Sequence, residues 1–279
     1  MKTLYLSDLD GTLLRSDERA SDFSVRTING LIKEGMVFSY ATARSLHSAS
    51  PVTKGLKLEN PVILHNGVFI IDPKSGERIL SNHFSGDEVK TASAFLNEQG
   101  IYPLVYSFMD GKERVSWLTG QERGGIKNYL YDRKGDSRLR EAENTEDLYR
   151  GDVYYFTCIG EYEELLPVYN YFKKIPSFNT VFQREIYYPE YWCEFMPKTA
   201  TKANAALRLK EILECDRIVC FGDGLNDISM FEVSDECYAV ANAASALKEK
   251  ATGIIGSNED DSVAKWLKQN WASALSLPS

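Results

Sequence analysis

The sequence is poor in the residues that build soft-metal sites or disulfide frameworks. Its 279 residues include five cysteines and three histidines. Cys158, Cys193, Cys215, Cys220 and Cys237 are odd in number and form no C-x-x-C pair. That pattern predicts reduced, mostly buried thiols. His47, His65 and His83 show no ligand spacing with them, which argues against zinc. Long apolar runs are also missing. Stretches such as residues 61–64 and 68–71 fall far short of the roughly 20 residues a membrane helix needs. The opening MKTLYLSDLDGT is broken by charge before a signal-peptide core can form, so the expected setting is cytoplasmic. There is no run of lysine and arginine either. With a net charge of −8 and a pI near 5.1, the chain is predicted to bind neither nucleic acid nor membrane. A small phosphorylated ligand remains compatible, because a metal and one or two cations can reverse the local field.

What is present reads as an ordinary globular protein. Hydrophobic residues make up 43% and charged residues 26%. The length fits one large domain or two ordinary ones. Thr3 to Ser7 is a short, largely apolar run that predicts a buried parallel strand ending at Asp8. Phe23, Thr27, Ile28, Leu31 and Ile32 recur at helical spacing, and Gly35 can end that helix. Residues 37–41 predict a second strand, leading into Thr42-Ala43-Arg44. Residues 61–64 predict a third, leading into His65-Asn66-Gly67. The order returns near the C-terminus. Thr201 can cap a helix through Ala205, Leu209 and Ile212, and residues 217–221 predict a strand ending at Gly222-Asp223. A helix over 225–233, short strands at 238–240 and 253–255, and a closing helix over 262–271 follow. The expected fold class is therefore α/β, with a Rossmann-like parallel sheet. Ligands bind such sheets outside the carboxyl ends of the strands.

The middle of the chain differs. A turn at residues 72–76 between two apolar runs predicts a hairpin. Between residues 84 and 189 the pattern reads helix, two strands, a polar helical stretch, then strand, helix and strand. Thirteen of the sixteen tyrosines lie between residues 84 and 192. This shift predicts an inserted α+β cap domain over 84–189, with residues 1–83 and 190–279 forming the core.

Two motifs carry chemistry. In Asp8-Leu9-Asp10-Gly11-Thr12, carboxylates two residues apart can reach one site where an extended chain turns at glycine. Such a pair suits a nucleophile beside a general acid/base, and its hard oxygens suit magnesium. Gly222-Asp223-Gly224-Leu225-Asn226-Asp227 follows another predicted strand and adds two carboxylates and an amide.

Taken in order, these motifs resemble the haloacid dehalogenase superfamily, in its Cof-type subfamily of capped phosphatases. Ala41-Thr42-Ala43-Arg44 resembles the second motif, usually ATGR in that subfamily, and Asn66-Gly67 resembles the turn after the third strand. Residues 201–207 resemble the helix carrying the motif lysine. Residues 239–243 and 257–264 resemble later segments. The resemblance implies a Mg²⁺ cofactor held by Asp8, Asp223 and the backbone carbonyl of Asp10. Asp227 would hold a metal-bound water or orient the metal shell. Asp8 would attack phosphorus and Asp10 would act as acid and then base. Thr42 and Lys202 would grip the phosphoryl oxygens. Lys198 is a competing lysine, but the spacing to Ala206-Leu207 favours Lys202. Asn226 either donates to a phosphoryl oxygen or shapes its loop. Arg44 either reaches substrate or pairs with a core carboxylate. Asn66 and Gly67 line the cleft, or serve the turn. Alanine at position 43 lacks glycine's backbone freedom and puts the shape of the second loop in question.

Candidate cap contacts are Trp117, Arg123, Lys127, Arg184, Tyr187, Tyr188 and Trp192, with Glu190 and Glu194 near the cap exit. Most aromatics there are expected to pack the cap core. The function read from the resemblance is Mg²⁺-dependent hydrolysis of a small phosphorylated metabolite, such as a sugar phosphate, by a monomer or small homo-oligomer. The alternatives are a phosphosugar mutase on the same fold, and a non-catalytic phosphometabolite-binding protein.

Overall fold

The computed structural model describes residues 1–184 and 189–275. The chain divides into two compact units. Residues 1–81 and 200–279 form the first and residues 82–199 the second. In chain order the strands are β1 (Thr3–Ser7), β2 (Val37–Tyr40), β3 (Val62–Leu64), β4 (Phe69–Ile71) and β5 (Arg78–Ser81) in the first unit. The second unit contributes β6 (Leu104–Met109), β7 (Lys112–Leu118), β8 (Leu139–Ala142), β9 (Asp152–Gly160), β10 (Phe178–Arg184) and β11 (Tyr191–Pro197). The chain then returns through β12 (Arg217–Gly222), β13 (Glu236–Ala239) and β14 (Gly253–Ile254).

The first unit is built on a parallel sheet in the order β14-β13-β12-β1-β2. β4 and β5 are the hairpin read from the turn at residues 72–76; β3, expected as a third parallel strand, instead pairs antiparallel with β4 and meets the parallel sheet through a single bridge between Ala41 and Ile63. Leu4 and Leu6 on β1, Phe38 on β2 and Phe221 on β12 are fully buried. Such continuous apolar strands are what a sheet covered on both faces requires. Helix Asp22–Lys33 starts at Ser21, whose hydroxyl accepts the Ser24 N–H at 3.0 Å. Helix Ser262–Leu275 brings Trp266 against the rings of Tyr5, Phe221 and Tyr238, one from each of three adjacent strands. Because β1, β2, β12 and β13 run parallel in register, Asp8, Thr42, Asp223 and Val240 leave the sheet at one edge.

The second unit has its own six-stranded sheet, ordered β10-β11-β9-β6-β7-β8. Helix Gly86–Glu98 opens with a capping box: Ser85 Oγ accepts from Glu88 N, and Glu88 Oε2 accepts from Ser85 N at 2.7 Å. Its core is aromatic. Phe195 on β11 stacks on Phe156 of β9 at 4.7 Å and on Phe172 at 4.2 Å between centroids. Two elements differ from the sequence reading. Residues 139–142 form β8, a parallel edge strand beside β7, where only a polar helical stretch was expected. Residues 191–197 form β11, paired with both β9 and β10. The exit from the second unit therefore falls at Thr199/Ala200 rather than at 189/190. An apolar run beside the exit looks the same in sequence whichever sheet claims it, and pairing alone decides.

All five cysteines are free and buried. Among the described residues no helix is long and apolar enough to cross a membrane.

The assignment of β11 has a testable consequence. Phe195→Ala removes a fully buried ring and should cost about 3–5 kcal/mol. Hydrogen exchange should show the loosening in peptides from residues 82–199, with the sheet around β1 and β12 unaffected.

Candidate active site

Asp8 stands at the end of β1. Its N–H donates to the Phe221 carbonyl at 2.9 Å, continuing the pairing with β12. The chain then makes one wide turn, closed by Leu14 N–H donating to the Leu9 carbonyl at 2.8 Å. Asp10 is extended within this turn and Gly11 sits at φ +70°. A Cβ on Gly11 would lie 2.4 Å from Asp223 Oδ2. Glycine here therefore does two things: it permits the left-handed turn, and it lets the Asp223 carboxylate approach the loop. Thr12 Oγ1 donates to Asp223 Oδ1 at 2.9 Å and fixes its orientation.

The carboxylates of Asp8, Asp223 and Asp227 each offer an oxygen, and these oxygens all lie within 4.8 Å of one another. Into this group reaches Lys202, from the first turn of helix Lys202–Ile212. Its Nζ donates to Asp8 Oδ1 and to Asp227 Oδ1, both at 2.6 Å. Lys202 is 1% exposed and Asp227 not at all. A buried ammonium is costly unless it is paired and hydrogen-bonded, and here two carboxylates meet that condition. Asp227 is held on both oxygens: its Oδ2 also accepts the N–H groups of Asp223 and Gly224, both at 3.0 Å. It thus ties the loop after β12 to the lysine.

The electrostatics follow from burial. Three carboxylates and one ammonium leave a formal surplus of two negative charges. Desolvation raises the Asp8 pKa to about 8; Lys202 opposes this and Asp227 reinforces it. Burial likewise raises Asp223, with Thr12 pulling the other way. For Lys202 burial disfavours the charge, but Asp8 and Asp227 outweigh it and hold its pKa above the ordinary lysine value.

The second and third loops supply the remaining polar groups. Thr42 is fully buried, and its Oγ1 accepts the Arg44 N–H at 3.1 Å. Ala43 is not at positive φ, so the alanine there carries no backbone strain. Arg44 forms a two-pronged pair with Asp10: Nε donates to Oδ2 at 2.8 Å and Nη2 to Oδ1 at 2.6 Å. Of the two readings of Arg44, the structure shows the carboxylate pair. It also shows that the Asp10 carboxylate does not join the three converging acids, so any metal contact from Asp10 falls to its backbone. Asn66 sits in the left-handed region at φ 54° and accepts from Asn226 Nδ2 at 3.2 Å, so it serves both the turn and the edge of the site. Gly67, at φ +103°, has Thr201 so close that a Cβ would lie 2.2 Å from its carbonyl oxygen. That contact seats the N-terminus of the Lys202 helix.

Three further residues brace the first loop. Asn242 Nδ2 donates to the Gly11 carbonyl at 2.7 Å, and its Oδ1 accepts the Asn258 N–H at 3.1 Å. Asn258 Nδ2 donates to the Leu14 carbonyl at 3.0 Å. Asp261 pairs with Arg15 and accepts from Ser24. The segments 239–243 and 257–264 were legible as motif-like, but side-chain bonds to a loop more than 200 residues away leave no local signature. Among the cap candidates, Trp117 and Trp192 pack against the small cluster of Leu104, Val115, Ile126 and Tyr129. Glu194 accepts from Tyr155. Tyr187 and Tyr188 lie outside the described residues.

A parallel α/β sheet with an insertion after its third strand and meander, and acids from two strand ends meeting beside a buried lysine, define an α/β protein with an acidic centre suited to a cation. Comparison with known proteins narrows the class. The family model described as haloacid dehalogenase-like hydrolase matches residues 5–267, and the chain belongs to that family, in its Cof-type branch. It is 26% identical to the 5-amino-6-(5-phospho-D-ribitylamino)uracil phosphatase YwtE of Bacillus subtilis, over 94% of this chain and 96% of the relative. It is 24% identical to the phosphatase YitU of the same organism, which is named for the same substrate, over 95% and 96%. A haloacid dehalogenase-like hydrolase from Bacteroides thetaiotaomicron shares the fold with a TM-score of 0.76 at 22% identity, over 97% of this chain and all of that one.

Two outcomes follow from the buried charges. Asp227→Ala would leave Lys202 with one partner and two backbone N–H groups unpaired, and should cost about 3–5 kcal/mol in denaturant unfolding. Asp8 gives a pH signature. Its folded pKa lies above the ordinary 3.8, so the folded chain holds the proton more tightly than the unfolded one. This group's contribution to stability is therefore greatest below about pH 4 and falls as pH rises to about 8. In metal-free protein Asp8→Asn should flatten that fall, which thermal unfolding in a chelator at pH 5 and pH 8 would show as a smaller drop in Tm between the two than in wild type.

Proposed function

We propose that this phosphatase of the haloacid dehalogenase type is magnesium-dependent and hydrolyses small phosphomonoesters, sugar phosphates or similar metabolites, through a phosphoryl group carried on Asp8. The observation that carries the reading is the convergence of buried Asp8 and Asp227 and half-buried Asp223 beside Lys202.

The donor set fits a hard divalent cation. The oxygens are carboxylates, and the surplus of two negative charges is what such an ion neutralises. Asp8, Asp223 and the Asp10 carbonyl would hold it, with Asp227 fixing the loop around it. When bound, magnesium supplies the positive charge that lets an anionic carboxylate approach an anionic phosphate.

The chain's own groups do the rest. An Asp8 oxygen attacks phosphorus as the bond to the leaving oxygen breaks, and Asp10 gives that oxygen its proton. Asp10 then takes a proton from the water that attacks the aspartyl phosphate, which releases inorganic phosphate and restores Asp8. Lys202 has three N–H donors and uses two on Asp8 and Asp227, so one remains for a phosphoryl oxygen. The hydroxyl hydrogen of Thr42 and the amide of Asn226 complete the cradle.

The two Bacillus relatives are named for a phosphate carried on a ribityl chain, which supports a small polyol or sugar phosphate as the substrate class. The test is phosphate release from p-nitrophenyl phosphate and a panel of sugar phosphates. Activity should vanish with a chelator, return with Mg²⁺, and be lost in Asp8→Asn while the fold is kept. Isomerisation of a phosphosugar without net phosphate release would replace this reading with a mutase. Binding without turnover would replace it with a non-catalytic role.

A further inference from the structure

Arg44 is held more firmly than a residue waiting for substrate would be. Its N–H rests on Thr42 Oγ1, and its carbonyl accepts the His65 N–H at 3.1 Å. The guanidinium has five N–H groups, and most are in use. Nε and Nη2 span both oxygens of Asp10, Nη2 also donates to Glu18 Oε2 at 2.8 Å, and Nη1 faces the Ser48 carbonyl at 3.5 Å. The Arg44 side chain is 19% exposed, whereas that of Asp10 is 47% exposed. The more exposed carboxylate is thus located by the more enclosed cation. The Asp10 hydrogen bonds, opposed by partial burial and aided by Glu18, raise the Arg44 pKa further above its ordinary range.

We propose that Arg44 is a positioning residue for Asp10, anchored from its other side by Glu18, and that its fork sets the place from which Asp10 exchanges a proton with the leaving oxygen. This rests on the acid/base reading of Asp10 given above. A bidentate guanidinium fixes both carboxylate oxygens in one plane, which an ammonium on a flexible stem cannot do. Thr42 and Arg44 share one loop, so the group gripping the phosphoryl oxygens and the group aiming the acid move together. Three of its five N–H groups are committed to Asp10 and Glu18, so turning this fork to phosphate would mean releasing Asp10.

The test uses the full chain with Mg²⁺ and esters of graded leaving-group basicity: p-nitrophenyl phosphate, phenyl phosphate and glycerol phosphate. A weakly basic phenolate departs with little need of a proton, whereas an alkoxide depends on one. Arg44→Ala and Arg44→Lys should lower kcat/KM for glycerol phosphate about tenfold or more beyond the loss seen with p-nitrophenyl phosphate. Inhibition by inorganic phosphate should stay within about twofold of wild type, because phosphate binding does not use Arg44. Glu18→Gln, at an exposed position, should shift the same ratio in the same direction by a few-fold at most. An equal loss across all three esters, or a tenfold weaker phosphate Ki, would overturn the proposal and make Arg44 a phosphate ligand. Asp10→Asn separates the two layers. If its losses also ignore the leaving group, the acid role of Asp10 falls and this proposal with it. If its losses follow leaving-group basicity while those of Arg44→Ala do not, only the role of Arg44 is lost.

Discussion

The first unit is organised around one buried contact, the ammonium of Lys202 held between the carboxylates of Asp8 and Asp227. A charge so deeply placed is tolerated only when its partners are already in position, so the contact forces three distant stretches of chain together. Asp8 comes from the end of β1, Asp227 from the loop after β12, and Lys202 from a helix seated against the turn at Gly67. Even with that contact the acids keep a formal excess of negative charge, and burial still leaves Asp8 with a raised pKa. The site's formal charge is one that a cation would offset.

Around that contact the fold spends side-chain amides on rigidity. Asn242 and Asn258 hold the carbonyls of Gly11 and Leu14, and Asp261 ties Arg15 to the helix that follows. Asn66 and Asn226 join the third loop to the fourth. None of these bonds adds a reactive group. Together they hold the wide turn bearing Asp8 and Asp10 in place before any substrate arrives, which is the condition under which fixed dipoles and charges lower a barrier. The two hydrophobic cores show a similar division. The sheet bearing the acids is braced by Trp266 across three strands, while the second unit packs its own stack of phenylalanines.

Much of this was written locally. Short apolar runs ending in Asp8, Thr42, Asn66 and Asp223 marked parallel strands and the edge where their polar residues emerge, because strand and turn propensities act over a few residues. Gly11 and the left-handed Asn66 were legible as turns for the same reason. The family resemblance then supplied roles that spacing alone left open, including which carboxylate would attack and which would exchange a proton.

Contacts between remote positions were another matter. The sequence by itself determined the α/β class, marked the middle of the chain as different, and offered the acids of two strand-end motifs as candidates, since each of these depends on neighbours in the chain. Only the tertiary structure decided that β11 belongs with β9 and β10, that Arg44 grips Asp10, that Asp227 is held by Lys202 and two backbone N–H groups, and that Asn242 braces the first loop. The reason is physical. A strand's partner, and the partner of a buried charge, are set by desolvation and packing summed over the whole unit, and no short window of sequence contains that sum.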